Sequence, residues 1–179
     1  MAARWGLGRE ELDAYAARSH RRAHAAQSAG SFAREIVGIT NPAGRVTADE
    51  TIRPDTSVEK LATLKAVFQS EELSARFPQI RWHTTAGNAS QMTDGASAML
   101  LMSERRALQL GLRPRARFVA LDVVGTIRCT CSRHRFPPRG ACWPKAGMRL
   151  EQVDHYEINE AFASVPLAWQ RNWAPTPSG

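Results

Sequence analysis

Small side chains set the terms for this chain. From Thr84 to Ser97 the residues run Thr-Thr-Ala-Gly-Asn-Ala-Ser-Gln-Met-Thr-Asp-Gly-Ala-Ser, and Met99-Leu100-Leu101-Met102 follows closely. The pattern predicts one long helix over 91–110, small in its first half and apolar in its middle. A helix of that kind approaches a neighbouring backbone closely and belongs in an interior. Whatever the fold, this tract needs something to lie against.

The rest of the chain alternates between helical and extended patterns. Residues 8–29 read as a helix: Gly8 stands at the N-cap and Glu10 and Glu11 favour the positive end of the dipole. Leu12, Tyr15, Ala16, Ser19 and Ala23 share one face, and Gly30 supplies the stop. Phe32, Ile36 and Val37 are expected to return the chain to a core, and Asn41-Pro42-Ala43-Gly44 is a turn. A second helix is expected from Ser57 or Val58 to about Phe68, with Leu61, Leu64 and Phe68 at helical spacing. Strands are expected over 117–125 and 154–159, and an apolar helix from Glu160 to about Trp169. Helices alternating with strands point to an α/β architecture.

Composition excludes little but narrows the partners. A length of 179 residues, 43% hydrophobic and 23% charged, suffices for a domain with a sizeable core. The net charge of +7 suits either nucleic acid or a polyanionic small molecule. Arg18, Arg21, Arg22, Arg105 and Arg106 fall on helical faces that read as solvated. With no run of 18 apolar residues there is no membrane span, and Met1-Ala2-Ala3-Arg4-Trp5 lacks the apolar core of a signal peptide. A soluble cytoplasmic protein is the expectation. His20 and His24, an i, i+4 pair on an arginine-rich helix, are read as solvent-exposed rather than metal-binding.

A second motif, Asn159-Glu160-Ala161-Phe162-Ala163, gives the small-residue tract a partner. In this order and at this separation the two resemble the thiolases, which make or cleave the carbon–carbon bond of 3-ketoacyl-CoA. The match runs over roughly 4–126 and 145–171. It takes in Glu10-Glu11-Leu12-Asp13-Ala14-Tyr15-Ala16, the stretch from Phe32 to Val37, and Asp49-Glu50-Thr51-Ile52-Arg53 with Glu59-Lys60-Leu61-Ala62-Thr63-Leu64. The resemblance implies a partial thiolase fold of class α/β. Residues 1–91 would form the C-terminal part of the loop domain covering coenzyme A, 92–117 the end of the first α/β half, and 118–171 the start of the second.

The same resemblance assigns candidate residues. Arg53 is the candidate for the arginine against the adenine end of coenzyme A, since a planar guanidinium both stacks and attracts phosphate. Ser90 falls on the serine that hydrogen-bonds the pantetheine amide, and would equally cap a following helix. Asn159 falls on the asparagine that holds a water in the oxyanion hole, where a fixed amide serves charge developing in the transition state. Phe162 would line the thioester pocket, or serve as a core aromatic. Coenzyme A enters as substrate, with no separate cofactor, metal, membrane or nucleic acid; intact thiolases are homo-oligomers. The family's nucleophilic cysteine lies upstream of the matching stretch, and its GHPxGxxG histidine and second cysteine lie downstream. These residues alone are therefore expected to be inactive. The close of the match, Glu157-Ile158-Asn159-Glu160-Ala161-Phe162-Ala163-Ser164-Val165-Pro166-Leu167-Ala168-Trp169, resembles the long-chain or lipid and steroid degradation thiolases more than the short-chain biosynthetic ones.

Between Thr126 and Lys145 the likeness breaks abruptly and resumes with Lys145-Ala146-Gly147-Met148. Codons chosen within the degeneracy for Ile127 to Pro144, regrouped after one preceding G, read DPVHVLTAPIPATRRVLA, a string that fits the family. The tail from Asn172 to Gly179 likewise regroups to ELGADPER. Both 127–144 and 172–179 are thus read as out of frame. Cys129, Cys131, His134 and Cys142 fall in the first of these. As a zinc site their spacing is not that of a standard finger, and codon accident is preferred. The rival reading keeps them: a small basic module binding nucleic acid or metal.

Overall fold

The computed structural model describes residues 1–123 and 143–173. They divide into two compact units, one formed by residues 1–93 with 158–173 and the other by 94–123 with 143–157. The cysteine and histidine positions 129, 131, 134 and 142, like the tail after 173, lie outside the described residues.

The first unit is organised on α1 (Arg9–Ser28), which begins at Gly8 with Glu10 and Glu11 in its first turn and ends ahead of Gly30, as its sequence requires. Leu12, Asp13, Ala16 and Ala17 are its buried residues, and α2 (Val58–Ala62) packs there through Leu61. That short helix starts where the Ser57 hydroxyl accepts the Lys60 N–H at 3.2 Å. It stops well before Phe68, which is two-thirds exposed and adopts a positive φ of 64°. A hairpin joins β1 (Ile39–Asn41) to β2 (Gly44–Val46), antiparallel with Asn41 opposite Gly44. The Asn41 side chain closes its turn by accepting the Ala43 N–H at 2.9 Å. The stretch meant to return to a core does not: Ile36 and Val37 are exposed. A further short helix, α3 (Glu71–Arg76), is capped by Ser70.

The tract 84–90 crosses the unit's centre. Thr85 and Asn88 are buried, and Asn88 spends its whole amide there. Its NH2 donates to Asp13 Oδ1 at 2.8 Å and to the His83 carbonyl at 3.0 Å, while its oxygen accepts the Thr85 N–H at 2.9 Å. On its other side Asp13 receives Arg9 Nε at 2.6 Å, and Arg9 reaches on to the carbonyls of Leu61 and Leu64. A buried charge is tolerable only when paired and hydrogen-bonded in this way. Gly87 permits the close approach: a Cβ there would stand 2.4 Å from Leu61 Cδ2 and 2.7 Å from Leu64 Cδ1. The C-terminal helix of the unit, α6, spans Ser164–Trp173. It packs on the 3₁₀ turn Ala2–Trp5, and its Arg171 binds both oxygens of Glu11, at 2.8 and 2.7 Å, and the Trp5 carbonyl. The expected start at Glu160 is thus corrected to Ser164, because Ala161 and Ala163 bond to the backbone of Ser90 and Asn88 and Phe162 bridges to Ala89.

The second unit holds α4 (Glu104–Gln109), α5 (Trp143–Ala146) and a 3₁₀ turn at Leu150–Gln152. Only the end of the expected 91–110 helix forms. Ser103 caps α4 by accepting the Arg106 N–H at 3.3 Å, and Gly111, at φ 66°, closes it. There the Leu112 N–H reaches the Ala107 carbonyl at 2.9 Å and the Gly111 N–H reaches Leu108 at 3.1 Å. Residues 91–102 carry no helix, and Met99 and Leu100 stand 79% and 77% exposed. The expected strands fail for the same reason: the described part of 117–125 and all of 154–159 have no ladder, and Val123 is 97% exposed. Isolated helices and single strands gain little in water without a face to bury or a strand to pair.

Candidate functional site

Two loops converge on one face of α1. The first is the stretch 87–91, the second 160–163, and they are laced by backbone bonds. The Ser90 N–H donates to the Ala161 carbonyl at 3.0 Å and the Ala163 N–H to Asn88 at 2.9 Å, so Ala89 pairs with Phe162. The two motifs singled out in the sequence are therefore adjacent in space. Beside them lies a cleft of about 240 Å³ whose walls include Tyr15, Ser19, His20, Asp49, Thr51, Ser90 and Glu160.

Glu160 is fixed from α1. Its two carboxylate oxygens accept the hydroxyls of Tyr15 and Ser19, each at 3.1 Å. Burial, with this carboxylate beside it, pushes the Tyr15 phenol up to about 12. A second part of the lining is a tight turn in which Asp49 Oδ1 accepts the Thr51 N–H at 2.7 Å and its hydroxyl at 2.6 Å. Those bonds, the hydroxyl first, hold the Asp49 carboxyl below its ordinary value. The turn is braced to α1 twice, by Gln27 Nε2 on the Asp49 carbonyl at 3.0 Å and by the Arg53 N–H donating to His20 Nδ1 at 3.2 Å.

The four candidate residues occupy different places. Ser90 is exposed on the cleft wall, its hydroxyl 3.3 Å from the Gln91 carbonyl. Phe162 is half-buried outside the cleft lining, its ring edge-on to Phe68 with centroids 6.3 Å apart. Arg53 and Asn159 are both exposed; neither lines the cleft, though each adjoins a residue or turn that does. Ser90 and Phe162 are thus brought together, and Arg53 follows directly on the lining residues Thr51 and Ile52.

Sequence reading missed Tyr15, Ser19, His20 and Glu160 as site residues. His20 is the clearest correction: it is half-buried and lines the cleft, whereas His24 is exposed. The signal was present, since Tyr15, Ser19 and His20 fall on the side of α1 also marked by Ala16 and Ala23. Among the described residues no group of three His, Cys, Asp or Glu could hold a metal.

A profile of the thiolase N-terminal domain matches residues 1–105. The chain belongs to the thiolase family. Relatives agree: it is 40% identical to a 3-ketoacyl-CoA thiolase of Aeromonas hydrophila over 90% of its length, covering 41% of that protein. To the Escherichia coli O139:H28 enzyme of the same name it is 40% identical, over 93% of this chain and 42% of that one. Solved thiolases share its course. The Bacillus anthracis acetyl-CoA acetyltransferase superposes with a TM-score of 0.81 at 35% identity, over 96% of this chain and 42% of that one. Human mitochondrial 3-ketoacyl-CoA thiolase, solved in complex with CoA, gives 0.79 at 32% identity, over 96% and 41%. The fold is a partial thiolase fold of the α/β class, and the chain spans about two-fifths of the length of these relatives. Among the described residues no helix is long and apolar enough to cross a membrane.

Proposed function

We propose that this thiolase-family acyltransferase segment supplies part of the coenzyme A site of an enzyme that cleaves or forms 3-ketoacyl-CoA. The observation that carries the reading is the backbone lacing of Ser90 to Ala161, which sets the serine of one motif beside the other at a cleft. In this reading Ser90 meets the pantetheine amide and Arg53 the adenine end. Phe162 flanks the thioester, and Asn159 holds the water of the oxyanion hole. Residues 1–91 are the C-terminal part of the coenzyme A-covering loop domain, 92–117 the end of the first half and 118–171 the start of the second, with 127–144 and 172–179 out of frame. Coenzyme A is substrate rather than cofactor. The compartment is the cytoplasm and the intact assembly a homo-oligomer.

Acyl transfer of this kind runs through a thiolate nucleophile, and all three cysteines of the chain stand at 129, 131 and 142, positions that do not match the family's. These 179 residues by themselves therefore bind coenzyme A without turning over 3-ketoacyl-CoA. Calorimetric titration with coenzyme A and a thiolysis assay on acetoacetyl-CoA test this together. Saturable binding that Ser90→Ala weakens, with no thiolysis, is the expected result. Thiolysis that survives replacement of all three cysteines overturns the requirement for the family nucleophile, and absent binding overturns the coenzyme A site.

A further inference from the structure

Of the two braces that tie the 49–53 wall to α1, Gln27 holds its Asp49 end and the His20 imidazole its Arg53 end. The stretch 49–53 has no helix or strand of its own, and Arg53 ends it. Within the stretch, bonding is local to Asp49 and Thr51. The Arg53 carbonyl takes part in a local turn, accepting the Thr56 N–H at 3.2 Å; what ties the Arg53 backbone to α1 is the 3.2 Å bond from its N–H to His20 Nδ1, a contact between residues 33 apart. His20 sits on α1 between Ser19, which holds Glu160 on the first wall, and Ala23, another lining residue. A rigid helix thus fixes both walls from neighbouring positions.

We infer that His20 is the positioning residue for Arg53: it sets where the guanidinium is presented without itself contacting what the guanidinium binds. The geometry demands an imidazole whose Nδ1 is bare and whose proton is on Nε2, since only that nitrogen can accept an N–H. This makes the role specific to one acceptor atom at one reach. In asparagine the side-chain oxygen can occupy nearly the same position as Nδ1, whereas the glutamine oxygen lies one carbon further out. A residue that merely fills space would not distinguish the two amides.

The inference rests on the proposed role of Arg53 only for its consequence in binding, so two readouts are taken on the full chain. Amide exchange at Arg53, followed by NMR on ¹⁵N-labelled protein, reads the tether itself. The α1 amides serve as the control for folding. His20→Ala is expected to speed Arg53 exchange about tenfold, His20→Asn to restore it and His20→Gln to fail, while α1 stays protected; one hydrogen bond of ordinary strength corresponds to roughly two- to tenfold or slightly more. Titration with coenzyme A reads the consequence: His20→Ala weakens binding about threefold to tenfold, and the loss disappears in an Arg53→Ala background. Unchanged Arg53 exchange in His20→Ala, or equal behaviour of Asn and Gln, overturns the tether. If the tether is upheld and Arg53→Ala binds coenzyme A as tightly as the parent, it is the role proposed for Arg53 that falls.

Discussion

The two units use the same kinds of residue to opposite effect. In residues 1–93 with 158–173, polar side chains reach one another across the unit, and Asp13, Thr85 and Asn88 are buried because each is satisfied. In 94–157, apolar side chains such as Leu100, Leu101, Phe118 and Leu121 stand in solvent. The difference is not one of local propensity. The second unit has a well-capped helix in α4, closed by Gly111. It lacks, among its described residues, a surface on which the apolar run can be buried. Long-range partners, not short-range signals, separate the regions.

The sharpest way to break the comparison is through Asp13. Its replacement by Ala removes the acceptor that Arg9 Nε and the Asn88 amide share, leaving the guanidinium without its counter-charge and with only carbonyl partners. The expected loss is about 3–5 kcal/mol in urea unfolding followed by circular dichroism, as for a broken buried pair. A loss under about 1 kcal/mol would show that the network is incidental.

Gly87→Ala is expected to rank next. The added methyl must displace the ends of Leu61 and Leu64, the first of them buried against α1. Overpacking of this sort costs about 1–3 kcal/mol in the same unfolding measurement.

The tie between Tyr15 and Glu160 gives a smaller, pH-dependent effect. Because the folded-state phenol lies near 12 rather than 10, its contribution is complete below pH 10 and lost as pH rises towards 12. In a Tyr156→Phe background, which removes the chain's other tyrosine, stability should fall across that window. The additional Tyr15→Phe change should flatten the slope and cost about 1 kcal/mol at neutral pH.

Least of all is expected from Leu100→Asp, within about 0.5 kcal/mol of the parent. Leu61→Asp, the same change in the first unit, should unfold it. Equal effects at the two sites would mean that 94–102 is buried in solution.

What could be read beforehand follows the same division. The start of α1 at Gly8, its end at Gly30 and the turn at 41–44 were legible because a few adjacent residues decide them. The nearness of Ser90 to Phe162 was legible through the family likeness alone, since nothing local marks Ala89 as the pairing partner. The strands at 117–123 and 154–159 were over-read, because alternation and β-branching state a preference that only a neighbouring strand can satisfy. His20 was under-read for the converse reason. On a face rich in arginine it looks solvated, and only the arrival of the Arg53 backbone gives it a partner.

The bonds from α1 and the N-terminal turn to later parts of the chain also set an order of assembly. Arg9 meets the Leu61 carbonyl across 52 residues, Tyr15 meets Glu160 across 145, and Arg171 meets Trp5 across 166. The entropy of closing a loop rises only slowly with its length, so the longer closures are not prohibitive. They nevertheless wait on chain that, during synthesis, has not yet been made. The α1–α2 pair and the 49–53 wall are expected to form early, with Tyr15, Ser19 and Glu11 presented before their partners exist. The segment carrying Asn159 and Phe162 then docks onto a template already standing. On the ribosome, one side of the cleft would precede the other by most of the chain.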